Sequence, residues 1–306
     1  IEEALIEFPE NRYPTFDNDF CYSTDGNRIA VTSIVEPEGK NSRKVIDIYA
    51  NDGNGWYFED SVDEGIPFGD DEMNSFPSSI DILGDVLIAG HSSMNEDSSK
   101  NNFGAVFLYH FNNGVWEKED TIESIADGSL GQVDRQFGLS VALGDGIAAI
   151  MSEESLSIFD ISSGVGVGVK YFNEISSHNH PRSKGLDIDS KTNRIMSPVG
   201  DPFSNWSVMG SGIYEYDGMD WVLTAVLSPF DYVANDAPGY IVDIEGDTAL
   251  ITSPRDDDLG YDTGSAYLWR HDGTNWVFKA KLWSDWADAG DQFGIGAALH
   301  DSSAYI

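Results

Sequence analysis

A unit of about fifty to sixty residues that recurs along the chain, an apolar alternation of period two inside each copy, and no convincing helical period together predict an all-β fold. The architecture these observations imply is a β-propeller of four-stranded antiparallel blades, with six or seven blades in the intact ring.

The copies align on "TFDNDFCYSTDGNRIAVTS", "SFPSSIDILGDVLIAG", "QFGLSVALGDGIAAIMS", "SKGLDIDSKTNRIMSP", "PGYIVDIEGDTALITSP" and the shortened "QFGIGAALHDSSAYI". Their starts at Phe16, Phe76, Phe137, Gly185, Gly239 and Phe293 are 60, 61, 48, 54 and 54 residues apart. Each copy opens with two apolar runs around a turn rich in Gly and Asp, residues that tolerate the positive φ such hairpins need. A second pair follows in most copies: an aromatic-rich strand, a turn containing Gly, and a strand headed by Trp56, Trp116, Trp221 or Trp276. Their fixed place in the repeat marks these tryptophans as packing between sheets rather than sugar platforms. The third copy lacks the Trp, and Tyr171 and Phe172 are its nearest substitutes.

A lone four-stranded sheet cannot bury both faces, so the copies must stack, and radial stacking protects their edges. The expected organisation is one propeller domain, 1–306, with repeats near 16–75, 76–136, 137–184, 185–238 and 239–292. Residues 293–306 and 1–8 would each supply part of a further blade, and the chain reads as a portion of a longer protein.

Charge narrows the partners. With 53 Asp and Glu against 17 Lys and Arg, the formal net charge is −36, which repels nucleic acid and anionic lipid and favours cations. No apolar run is long enough to span a membrane, so direct membrane insertion is not expected. The single cysteine, Cys21, has no internal partner, and no Cys/His spacing matches a zinc site. His178 and His180 read as a polar turn, and the "GVGVGV" run from Gly164 precedes a strand, not the helix a nucleotide would require.

In the fifth copy the loop "SPRDDDLGYDTG" sets Asp256, Asp257, Asp258 and Asp262 around Gly260. Calcium takes six to eight oxygens, and alternating Asp at a glycine turn supplies several, so Asp256, Asp258 and Asp262 are the candidate calcium ligands. A solvated acidic turn is the competing reading. Asn95, Glu96 and Asp97 offer a weaker set in the second copy, and Asn205, in "NWS", fits an N-glycosylation acceptor.

The fifth copy with the start of the sixth, "GDTALITSPRDDDLGYDTGSAYLWRHDGTNWVFKAKLWSDWADAGDQFGIGAALH", resembles the FG-GAP repeat of integrin-α-like propellers, in particular the subgroup of secreted bacterial and algal proteins. The resemblance covers nearly the whole chain and is poorest in the third copy. It implies a calcium loop of the form Asp-x-Asp-x-Asp-Gly-x-x-Asp, from which this chain departs: position 260 is Gly and Asp262 comes two residues early. It also implies an extracellular or cell-surface setting and a non-enzymatic role in adhesion, with a protein or glycan ligand or self-assembly. A structural module of a surface filament or wall and a polysaccharide-degrading enzyme built on a propeller remain the alternatives. No nucleophile elbow, zinc helix or Walker loop is present.

Overall fold

The computed structural model describes residues 9–14, 21–36, 42–66, 76–92, 104–124, 136–153, 155–172, 185–200, 208–231, 233, 236, 238–301 and 303–306. Among them every regular element is a strand. The chain divides into two compact units, Ile1–Leu143 with Asp160–Val167, and Gly144–Phe159 with Gly168–Ile306.

The first sheet contains β1 (Arg12–Pro14), β2 (Tyr22–Thr24), β3 (Arg28–Val35), β4 (Arg43–Asn51) and β5 (Trp56–Val62). It departs from the expected four strands: β1 lies before the anticipated start at Phe16, and β1 and β2 pair with successive stretches of β3. Two short pieces thus do the work of one first strand. The second sheet runs β6 (Ser79–Leu83), β7 (Val86–His91), β8 (Ala105–Asn112) and β9 (Val115–Ile122) in that order. The third runs β10 (Ser140–Gly144), β11 (Ile147–Met151), β12 (Leu156–Asp160) and β13 (Val167–Phe172), with strands in both units. The fourth has β14 (Asp187–Asp189), β15 (Arg194–Gly200), β16 (Val208–Tyr216) and β17 (Trp221–Leu227). The fifth has β18 (Val242–Glu245), β19 (Thr248–Ser253), β20 (Ser265–His271) and β21 (Trp276–Leu282), and a hairpin of β22 (Ala298–His300) and β23 (Ser303–Tyr305) follows. Apart from β1, the strands of each sheet fall within one sequence repeat. The N-terminal 1–8 stretch lies outside the described residues.

Burial explains the sequence pattern strand by strand. Middle strands such as β4, β8 and β19 are covered on both faces and read as mainly apolar runs, whereas the fourth strands β5, β9 and β21 are mostly half-buried or exposed. In the first unit Ile46, Ile48, Leu87, Phe107 and Tyr109 share one core; in the second, Met196, Ile213, Ile251, Tyr267 and Trp269 do so. Each large side chain buried this way stabilises the fold by roughly 1.5–3 kcal/mol.

The Trp heading each fourth strand pairs across the turn with a residue at or near the end of the third: Asn51 with Trp56, Phe111 with Trp116, Tyr216 with Trp221 and His271 with Trp276. Trp116 and Trp221 are buried, the other two half-buried. In the third sheet Tyr171 and Phe172 sit at the far end of β13, not at its head, so they do not replace the missing Trp; Phe172 instead packs on Tyr214 with ring centroids 4.7 Å apart. Three residues past each Trp the register slips by one, leaving Glu59, Glu119, Thr224 and Lys279 as bulged residues with no cross-strand partner. A bulge twists the strand and re-aims its extra side chain.

Successive sheets are spliced by backbone contacts that require glycine. Gly104 and Gly264, just before the third strands, form parallel bridges with Phe137 and Phe293, the first residues of the next repeats. At Gly264, with φ +81°, a Cβ would lie 2.3 Å from the Phe293 carbonyl oxygen.

A second splice recurs between the first and second sheets and between the fourth and fifth. Asp25 accepts from Gly84 N–H at 2.8 Å, while Arg28 donates to Glu59, to the Gly84 carbonyl and to Asp85. Asp189 accepts from Gly246 N–H at 2.8 Å, while Arg194 donates to Glu215, to the Gly246 carbonyl and to Asp247. Their guanidinium groups lie over Trp116 and Trp276, adding cation–π attraction.

Candidate functional site: an aromatic cleft on the fifth sheet

The acidic loop of the fifth repeat leaves β19 at Ser253 and returns to β20 through Gly264. It folds on its own side chains: Asp256 Oδ1 accepts from Asp258 N–H at 2.9 Å and Asp257 Oδ1 from Asp262 N–H at 2.7 Å. Asp262 adopts φ 48°, a left-handed conformation that Asp tolerates better than most residues. Its carbonyl accepts from Gln292 N–H, tying this loop to the one that follows β21.

The other Asp256 oxygen is the hub. Oδ2 accepts from Ser265 Oγ at 2.6 Å, from Tyr267 Oη at 2.8 Å and from Lys281 Nζ at 2.8 Å. Lys281 stands opposite Tyr267 across the β20–β21 pair, and its ammonium also meets Asp231 at 2.9 Å and Asp258 at 2.5 Å. Burial acts to raise the Asp256 carboxyl, but hydrogen bonds from Lys281, Ser265, Asp258 N–H and Tyr267 outweigh it and hold its pKa below the usual carboxylate value. Burial opposes charge on Lys281 too, yet its carboxylate partners raise its pKa. Asp256 and Lys281 are therefore both charged at neutral pH.

This geometry weighs against the calcium expectation. Asp256 and Asp258 converge, but on Lys281, and among the described residues Asp256, Asp258 and Asp262 do not bring ligand atoms within 4.8 Å of one another as a group. As arranged the trio does not fit a calcium ion, because an intramolecular cation already takes the carboxylates. The set that does bring its ligand atoms so close is Glu245, His300 and Asp301, at the solvent-facing turns of two hairpins. Asn205 and the Asn95, Glu96 and Asp97 set lie outside the described residues.

Above the ion cluster a cavity of about 590 Å³ opens to the surface. Phe230, Leu259, Phe278 and Trp283 form its apolar rim. Phe230 is 72% exposed, Trp283 48% and Phe278 37%, and the rings of Phe230 and Phe278 meet edge to face at 5.3 Å. The bulged Lys279 also lines the cavity, so carboxylates and ammonium groups stand side by side beneath the aromatic rim. Sequence reasoning found the Asp loop but missed Phe230, Asp231, Lys281 and Trp283. The available signal was a Lys placed one residue before the end of an outer strand, opposite an aromatic residue two positions into the third strand.

A second carboxylate pair lies at the first strands of the fourth and fifth sheets. Asp187 accepts from Ile244 N–H at 2.8 Å and Asp243 from Leu299 N–H at 2.8 Å, each carboxyl thereby joining its sheet to the next element. Desolvation raises both pKa values, and the proximity of the two groups raises that of Asp187 further. Asp81 plays the same part in the first unit, accepting from Leu143 N–H at 2.6 Å.

The FG-GAP repeat family matches residues 221–269, from the start of β17 to Trp269 in β20, a span that contains the Asp256 loop. No curated protein sequence matches the chain. Among solved structures, the β-propeller domain of the trilobed protease from Pyrococcus furiosus is 13% identical with a TM-score of 0.52, covering 98% of this chain and 78% of that one. A six-bladed β-propeller lectin from the fungus Aleuria aurantia is 12% identical with a TM-score of 0.49, covering 86% and 78%. Strands alone, gathered into successive four-stranded antiparallel sheets with the fold of the protease's propeller domain, define the chain as a β-propeller protein. The match at 221–269 marks that span as similar to an FG-GAP repeat. Among the described residues no helix is long and apolar enough to cross a membrane.

Proposed function

We propose that this propeller is a non-enzymatic binding module, working outside the cell or at its surface, that engages a protein or glycan partner through the cleft on its fifth sheet. One observation carries the reading: three aromatic side chains, Phe230, Phe278 and Trp283, stand exposed around a charged floor that Lys281 holds rigid. Exposed apolar groups gathered at a concave surface with a few fixed polar groups are the usual make-up of a ligand site. Rigidity favours binding, since a floor ordered beforehand loses less entropy when the ligand arrives. The FG-GAP repeat and the net charge of −36 support the extracellular setting.

The same chemistry argues against Asp256 as the acid of a hydrolytic reaction. Glycosidase chemistry requires one carboxyl that carries a proton near neutrality, and Asp256 is held ionised. The raised carboxyls, Asp187 and Asp243, instead accept backbone hydrogen bonds between successive elements.

The test is a screen of the purified chain against glycans and extracellular-matrix proteins, with Phe230→Ala and Trp283→Ala alongside. Each variant is expected to weaken binding about tenfold, the equivalent of roughly 1.4 kcal/mol, with the melting temperature unchanged because both side chains are exposed. Full affinity in the double variant would refute the cleft as the binding site.

A further inference from the structure

We propose that the ligand of this cleft is a neutral glycan, an uncharged polyhydroxylated chain whose sugar rings lie on Phe230, Phe278 and Trp283. The inference rests on the reading of the cleft as the binding site and specifies what enters it.

The floor mixes signs at close range: Asp231, Asp256 and Asp258 surround Lys281, and Lys279 reaches the same cavity. A polyanion would meet three carboxylates within a chain of net charge −36, and long-range repulsion would slow its approach. A cationic ligand could use the carboxylates, but Lys281 already does so, and Lys279 would face it with like charge. A hydroxyl group both donates and accepts. Adjacent sugar hydroxyls can therefore donate to Asp258, whose side chain is 55% exposed, and accept from the Lys279 ammonium without any net charge being buried.

The rim supplies the rest. A pyranose ring has a hydrophobic C–H face and a hydroxyl-bearing edge, so it covers an aromatic ring while keeping its polar groups directed at the floor. Phe230 and Phe278 meet edge to face, so their rings present differently oriented surfaces along the rim, as a chain of linked sugars requires. The bulge in β21 sets Lys279 out of register with β20, and its side chain lines the cavity as a donor in addition to Lys281.

The experiment uses the whole chain on a glycan array bearing neutral, uronate-containing and glucosamine-polymer oligosaccharides, followed by calorimetry with the best neutral oligosaccharide and with oligolysine. Neutral oligosaccharides are expected to bind, with an affinity changing less than about twofold between about 50 and 500 mM NaCl, because an uncharged ligand has little Coulomb attraction for salt to screen. Asp258→Asn should weaken that binding about tenfold while Asp285→Asn leaves it unchanged. Preferential, salt-steep binding of oligolysine or of a uronate chain would overturn the proposal, as would failure of every neutral oligosaccharide to bind. A wrong ligand class and a wrong site give different results. If only the ligand class is wrong, Phe230→Ala and Trp283→Ala still weaken binding of the charged ligand about tenfold; if the cleft is not the site, neither variant affects any ligand.

Discussion

Lys281 decides how the acidic loop behaves. Its side chain is 11% exposed and faces three carboxylates, one of which, Asp256, is itself buried. Removing one member of such a cluster leaves the others uncompensated in a desolvated site, which typically costs about 3–5 kcal/mol. Because part of this cluster is open to solvent, we expect Lys281→Ala to destabilise the fold by about 2–3 kcal/mol in urea unfolding. The vacated position then favours a cation. Thermal melts at constant ionic strength should show the wild type indifferent to calcium and Lys281→Ala stabilised by it, whereas a calcium response in the wild type would mean that the ion displaces the ammonium. The sequence displayed the acids but not their counterion. Asp231 follows β17, Asp256 and Asp258 follow β19, and Lys281 belongs to β21, so the cluster exists only once three separated stretches are brought together.

At the scale of strands and turns, the repeat was legible because its constraints are local: Gly and Asp at turns, Trp after the second hairpin's turn, Phe opening the next copy. The bulges were not legible, since one extra residue in an alternating strand changes a register visible only against its partner. Nor was β1, a three-residue strand that pairs with β3 across about twenty residues of chain. The glycine splices give a direct test. Gly264→Ala places a methyl group against the Phe293 carbonyl in a left-handed conformation, and we expect a loss of about 2–3 kcal/mol. Gly246 has φ +56°, but a methyl group added there would meet nothing within 4 Å, so Gly246→Ala should cost only about 1 kcal/mol. Equal losses at the two sites in denaturant melts would show that conformation alone, not the close approach of the next repeat, accounts for Gly264.

Over the whole molecule, charge and pH set the stability. With a net charge of −36, self-repulsion should make the protein more stable as salt is added at neutral pH. Two sets of desolvated groups act in opposite directions. His91 is packed against Phe76 and Phe107, and desolvation lowers its pKa to about 4 against the opposing pull of Glu64. Folding favours its neutral form, so its contribution is complete above about pH 6.5 and is lost as pH falls toward 4. Asp187 and Asp243 have raised pKa values, so the folded state binds protons that the unfolded state has released. Their contribution is complete below about pH 4 and is lost as pH rises toward about 8. Asp187→Asn keeps an acceptor for Ile244 N–H without the charge, and should flatten the decline in unfolding free energy between about pH 5 and 8. An unchanged slope in urea titrations across that range would place the responsible groups elsewhere.

Whether the aromatic cleft of the fifth sheet is where this propeller meets its partner can be read from hydrogen–deuterium exchange of the free and ligand-bound protein, segment by segment. Binding at the cleft should slow exchange in residues 228–231, 255–264 and 276–284, which carry the rim and the ion cluster, and leave β4, β8 and the other middle strands unchanged. Protection confined to other sheets, with these three segments exchanging as in the free protein, would contradict the assignment of the cleft as the binding site.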